Sequence, residues 1–327
     1  MRILQVADMT VQPGERALGK AVCGELPDGT AIHFPLIVVN GANDGPLLWL
    51  GAGLHGTELP GMEVIRRITR ELIDPSRLRG AIIAVPLLNP FSFHHHQMLT
   101  PQDGYNLNRV FPGDQGQSLS HRLAAQIARL AGPCDVFIDF HANPVPALQF
   151  SIIKRSNDEH VWNQSRRLAE VFGITTIELK QERERHRTGM LTDIVQEWGK
   201  PCLVLELISW RRFEPTSLDT GVRGTLNVMK EMGMLEGSIE PQRGVPMIHG
   251  RLSRIELTAN RGGLVHTLKD PGDPVREGEP IVLVRDLWGE VVEEVRSPLA
   301  GWLLAWPFLG NQAVATGDIM AFIAYRV

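Results

Sequence analysis

The sequence predicts an α/β layered domain followed by a small all-β sandwich, on three observations. From about residue 31 to 230, short apolar runs rich in β-branched residues alternate with amphipathic stretches. Near residue 235 the helical period disappears, and the region beyond it carries a weak internal repeat. We therefore divide the chain into residues 1–240, the α/β domain, and 241–327, the β-rich domain.

The predicted strands are 31–39 (AIHFPLIVV), 46–54 (PLLWLGAGL), 81–88 (AIIAVPLL), 134–140 (CDVFIDF), 148–154 (LQFSIIK), 175–179 (TTIEL) and 202–208 (CLVLELI). Runs that are apolar throughout belong in a sheet covered on both faces. Between them, residues 58–73, 118–131, 158–172 and 191–198 place apolar side chains at helical spacing, as do residues 217–232 after the last strand. Each such helix turns one stripe toward the sheet. Ligand sites in these domains gather at the carboxyl ends of strands. Beyond residue 240, the segment from Gly263 (GLVHTLKDPGDPVREGEPIVLV) matches that from Gly301 (GWLLAWPFLGNQAVATGDIMAFIA). Both run glycine, apolar strand, glycine turn (Gly272, Gly310), valine (Val275, Val314), glycine turn (Gly278, Gly317), apolar strand. A duplicated half-motif of this kind builds a sandwich.

Composition narrows the function. With 327 residues, 43% hydrophobic and 21% charged, the chain can bury a sizeable core. A formal charge of -4 without a dense Lys/Arg block leaves no footprint for nucleic acid. The first residues lack a basic segment followed by an apolar one, and no run approaches the ~18 apolar residues of a membrane span. The expectation is a cytoplasmic chain with neither membrane nor nucleic acid as partner. Cys23, Cys134 and Cys202 are odd in number and scattered, which argues against a disulfide framework and a cysteine zinc site alike.

Four constellations carry chemistry. His55 and Glu58 lie between an apolar strand and a helix that opens with Pro60, a strand-to-helix loop whose imidazole and carboxylate can reach one cation. The same spacing also serves a surface hydrogen bond. Asp139 and His141 share one face of the strand VFIDF, with His141 emerging at its end as a third ligand or as a hydrogen-bonded core histidine. Two histidines and a glutamate with a fourth place for water form a catalytic rather than a structural zinc set, and Asp139 is placed to orient a ligand. Asn108 and Arg109, in a polar loop, suit bidentate capture of a carboxylate, unless Arg109 pairs with Asp103 or Asp114. Glu206 interrupts the apolar strand LVLEL, where burial would raise its pKa toward that of a general base, or it reaches solvent from the strand's end.

Taken in order, H-G-x-E on a loop, N-P followed by D-G-x-N-L-N-R-x-F-P-G, D-x-H on a strand and a late strand glutamate resemble the succinylglutamate desuccinylase and aspartoacylase family, relatives of the zinc carboxypeptidases. The resemblance covers most of the chain, including its β-rich end. It implies a zinc-carboxypeptidase-like mixed sheet flanked by helices, and one Zn2+ per chain on His55, Glu58 and His141. It further implies Asn108 and Arg109 as the substrate-carboxylate clamp and Glu206 as general base. The implied activity is a zinc-dependent deacylase of an N-acyl amino acid or related small amide, N-acetylated diaminobutyrate among the candidates, in a monomer or a homo-oligomer.

One departure stands out. The family pattern has an arginine before the D-G motif to polarise the scissile carbonyl, and this chain has Met98. A basic residue from another loop, such as the Arg183 to Arg187 cluster, takes the role over, or the activity differs from the family norm. Two alternatives therefore stay open: a metal-binding pseudoenzyme and a metallocarboxypeptidase-type peptidase. The run His94 to His96 reads as a solvated turn. The C-terminal repeat also resembles a biotinyl or lipoyl carrier domain, but the hairpin from Asp286 to Glu290 has no lysine to modify.

Overall fold

The apolar runs of the first 240 residues form the middle of a twelve-stranded mixed sheet. The structure, a computed structural model, describes residues 2–179, 189–307 and 312–327. A hairpin of β1 (Leu4–Val6) and β2 (Met9–Val11) leads into β3 (Glu15–Glu25), β4 (Ala31–Asn40), β5 (Asn43–Ala52), α1 (Pro60–Arg67) and β6 (Arg79–Val85). Then come α2 (Pro90–His94), α3 (Leu119–Ala131), β7 (Val136–Asn143), β8 (Phe150–Lys154), α4 (Glu159–Phe172) and β9 (Thr175–Leu179). The α/β part closes with α5 (Leu191–Glu197), β10 (Cys202–Ile208) and α6 (Pro215–Glu231).

Strands β6, β5, β7 and β10 run parallel, the pattern expected where helices connect consecutive strands. The period of two along each strand divides its side chains between two cores. On β5, Leu48, Leu50 and Ala52 pack with α1, α4 and α6, while Leu47 and Trp49 face α3, α5 and the first hairpin. On β7, Ile138, Phe140 and Ala142 join the first core and Phe137 the second. Asp139, His141 and Asn143 therefore share the face of Phe137, and at the carboxyl end of the strand that face opens into a site.

Several boundaries differ from the sequence expectation. The strand expected over 46–54 stops at Ala52, leaving residues 53–59 as loop, and the helix expected over 58–73 starts at Pro60 and passes into a π turn at Ile68–Leu72. The strand expected to end at residue 140 reaches Asn143, because β10 pairs it in parallel register out to Ile208. His141 thus lies inside the strand. The first hairpin and β3 were not expected; β3 is an edge strand with half-exposed residues and no apolar run.

The C-terminal part adds β11 (Leu252–Thr258), β12 (Gly263–Thr267), β13 (Pro274–Val275), β14 (Pro280–Arg285), β15 (Val291–Arg296), β16 (Gly301–Ala305), β17 (Ala313–Val314) and β18 (Ile319–Arg326). The repeat exchanges its short strands. β13 of the first copy pairs with β16, Val275 opposite Gly301, and β17 of the second pairs with β12, Val314 opposite Gly263. The valine of each copy thus faces the opening glycine of the other, which ties two layers around one apolar core. One layer continues the main sheet: β11 runs beside β9, Leu252 opposite Ile177, so the sheet crosses residue 240 unbroken. No helix among the described residues is long and apolar enough to cross a membrane.

Candidate active site

Beyond β5 the chain turns at Gly53 (φ 63°) into the loop that carries His55 and Glu58. The Glu58 N–H donates to the His55 carbonyl (3.2 Å), closing a turn before Pro60 starts α1. Gly56 presses this loop against α2: a Cβ there would lie 2.3 Å from the Phe93 nitrogen, and the Gly56 N–H donates to the Gln97 carbonyl (3.1 Å). Only glycine fits so close an approach.

His55, Glu58 and His141 are all buried, and their ligand atoms lie within 4.8 Å of one another. Nδ1 of His55 is 2.8 Å from Glu58 Oε1 and Nδ1 of His141 is 3.0 Å from Glu58 Oε2. The far nitrogens are held from outside the cluster: Nε2 of His55 by Asn106 Oδ1 (3.1 Å), Nε2 of His141 by Asp139 Oδ2 (3.1 Å). Asn106 Oδ1 also accepts the Asn108 N–H (2.8 Å), which marks it as the carbonyl oxygen. It can only accept, so His55 carries its hydrogen on Nε2 and turns the Nδ1 lone pair toward a carboxylate. Two lone-pair bearers at that distance repel unless positive charge lies between them, a proton or a metal ion. Burial disfavours an ionised Glu58, yet the two imidazoles outweigh it and draw its carboxyl down to about 2. Burial likewise opposes a charged His141, and Asp139 and Glu58 overcome it, raising the imidazole well above its usual range. Two nitrogens, a carboxylate and outer oxygens fixing the tautomers make a donor set that suits zinc or a similar divalent ion.

Register brings the next carboxylate. Glu206 on β10 lies directly opposite His141 on β7, so both point to one face. Glu206 keeps contact with the cavity. Enough protein surrounds it that desolvation pushes its carboxyl up to about 7, against the opposing pull of His141. Asn143 Nδ2 donates to Glu206 Oε2 (2.9 Å).

Asn108 and Arg109 line the same cavity, of about 320 Å³. Asn108 Oδ1 accepts the Leu191 N–H at the start of α5 (3.0 Å), its Nδ2 lies 3.5 Å from His141 Nε2, and the Arg109 Nη1 donates to the Asn108 carbonyl (2.7 Å). Asp103 turns to Ser120 (2.7 Å) and Asp114 to Gly116 (2.7 Å). Met98 also borders the cavity, whereas His94, His95 and His96 are exposed and do not. The Arg183 to Arg187 cluster lies outside the described residues.

Sequence reasoning missed several lining residues. Lys154 on β8, ion-paired with Asp193, and Arg254 and Glu256 on β11 bring charge into the cavity from outside any recognised motif. The Arg254 guanidinium stacks 4.2 Å from the Phe322 ring centroid, with Nη2 3.4 Å from Glu256 Oε1. Asn106 stood within a recognised motif, and its spacing from Asn108 was the one available signal.

Comparison with known proteins finds relatives of both the sequence and the fold. The family model of the succinylglutamate desuccinylase/aspartoacylase catalytic domain matches residues 44–232. An N-α-acetyl-L-2,4-diaminobutyric acid deacetylase from Halomonas elongata is 28% identical over 307 residues, covering 90% of this chain and 86% of that protein. A crystal structure of a succinylglutamate desuccinylase/aspartoacylase from Rhodobacter sphaeroides superposes with a TM-score of 0.86 at 24% identity, covering 100% of this chain and 99% of that one. A metallo-carboxypeptidase from Burkholderia cenocepacia shares the fold more distantly, with a TM-score of 0.51 at 19% identity over 66% of this chain and 64% of its own.

Proposed function

The chain belongs to the succinylglutamate desuccinylase/aspartoacylase family, and from that premise we propose that it is a zinc-dependent deacylase of an N-acyl amino acid or related small amide. The observation that carries this reading is the convergence of both Nδ1 atoms on Glu58, with Glu206 opposite His141 in one cavity. His55, Glu58 and His141 would hold the ion, which when bound supplies Lewis acidity and an acidified water.

The chain's own residues do the rest. Glu206, with a carboxyl near neutrality, takes a proton from the attacking water as the new C–O bond forms. It returns that proton to the amine nitrogen as the C–N bond breaks, and so ends ionised as it began. Arg109 holds the substrate carboxylate and sets the register of the scissile bond, with Asn108 fixing the Arg109 loop to α5. A cavity of about 320 Å³, walled by Arg254 and Phe322 from the C-terminal part, favours a small amide over a peptide. We assign residues 1–240 the chemistry and residues 241–327 the closing of the cleft, in a cytoplasmic enzyme.

Met98 favours a second reading, a metal-binding pseudoenzyme, since it leaves a neutral side chain where the family pattern has an arginine. One experiment separates the two. Zinc-loaded and chelated protein are assayed against N-acetyl and N-succinyl amino acids, beginning with Nα-acetyl-2,4-diaminobutyrate, the compound named for the Halomonas elongata relative. Turnover that zinc restores after chelation supports the deacylase; zinc binding without turnover supports the pseudoenzyme.

A further inference from the structure

We infer that Asn143 is a positioning residue that confines the shuttled proton to one oxygen of Glu206, Oε1. The inference rests on the reading of Glu206 as general base and goes beyond it to the residue that aims that base.

Asn143 is the last residue of β7, buried, and on the same strand face as Asp139 and His141. Its Nδ2 donates to Glu206 Oε2 at 2.9 Å. The backbones that carry the two side chains are stitched together. Asn143 stands opposite Ile208 in the parallel ladder, the Ser209 N–H donates to the Asn143 carbonyl (2.9 Å), and the Trp210 indole donates to the Ala142 carbonyl (2.7 Å). Ser209 adopts φ 89°, a left-handed conformation uncommon for a residue other than glycine, and is held there beside the site. Amide and carboxylate are thus fixed relative to each other.

The chemistry follows from what an amide can do. The NH2 of Asn143 only donates, so it neither gives up nor receives the catalytic proton. Oε2 keeps a second lone pair, but the Asn143 N–H already draws on its charge, so Oε1 is the more basic oxygen and accepts the proton of the attacking water. Once Oε1 is protonated, Oε2 is a carbonyl oxygen and still accepts from Asn143. The carboxyl group therefore keeps one orientation through both halves of the reaction, and the O–H formed from the water is the one presented to the departing amine. Without Asn143 the carboxyl can rotate, and proton delivery loses its geometry.

Asn143→Asp and Asn143→Ala test this beside Glu206→Gln, on zinc-loaded protein with zinc content measured for each variant. Aspartate keeps the shape of asparagine but, when ionised, has no hydrogen to donate. We expect kcat to fall by about 10- to 100-fold in both Asn143 variants, part of the 10²- to 10⁴-fold that general acid–base catalysis contributes, with KM and zinc content near wild type. Wild-type kcat in Asn143→Asp, with Glu206→Gln inactive, overturns the role of Asn143 alone. Loss of zinc in parallel with kcat overturns it too, by assigning Asn143 to the metal site. Turnover retained by Glu206→Gln overturns the base itself, and this inference with it.

Discussion

Asp139 Oδ2 lies 3.1 Å from His141 Nε2, two residues back along the same strand face, and turns the opposite ring nitrogen toward Glu58. The pair fixes tautomer and ring angle before any ion arrives. Asp139→Asn keeps the shape and removes the charge, so zinc affinity should fall by about 10- to 100-fold in a competitive chelator titration. An affinity equal to wild type would show that His141 needs no such support.

A buried cluster in which the His55 lone pair faces a carboxylate is held more firmly with a cation than without. Saturating zinc should raise the melting temperature, since an ion at a thousand times its dissociation constant contributes about 4 kcal/mol. His55→Ala removes one of the three donors, and its melting temperature should respond far less to zinc. Calorimetry with and without chelator reads both effects.

Glu206→Gln should lower kcat by at least about 100-fold while leaving zinc bound. It should also change the pH dependence of stability in the metal-free protein. The folded carboxyl titrates at about 7, above its ordinary 4.5, so its contribution to stability is complete below 4.5 and is lost as pH rises to 7. Glutamine does not titrate. The variant should therefore gain melting temperature relative to wild type between pH 5 and pH 8; a constant difference across that range would contradict the desolvation of Glu206.

Arg109→Ala should weaken kcat/KM for a free-carboxylate substrate by roughly 10-fold or more relative to its methyl ester, as expected for a lost charge-assisted hydrogen bond. Equal losses on acid and ester would assign Arg109 to the loop rather than to the substrate.

Gly61 lies within α1, where alanine would ordinarily favour the helix. Here a Cβ would come within 2.3 Å of the Phe140 Cβ and 3.0 Å of the Ala52 Cβ. Gly61→Ala should accordingly destabilise the fold, by about 1–3 kcal/mol in denaturant unfolding, as overpacking of a core does.

What the sequence determined by itself is everything set by local period. Alternation along VFIDF puts Asp139 and His141 on one face, the apolar run through Leu50 ends just before His55, Pro60 opens the helix behind Glu58, and the repeated glycines and valines mark both halves of the C-terminal sandwich. What only the tertiary structure decided is which strands lie side by side. Glu206 faces His141 because β10 settles in one register against β7, and that register carries β7 on to Asn143. Arg254 enters the cavity because Leu252 pairs with Ile177, joining two segments far apart in the chain. A side chain's direction along its own strand follows from backbone geometry, but its partner across the sheet follows from how the whole chain buries its apolar faces, and neither Asn143 nor Arg254 carries a local mark of that.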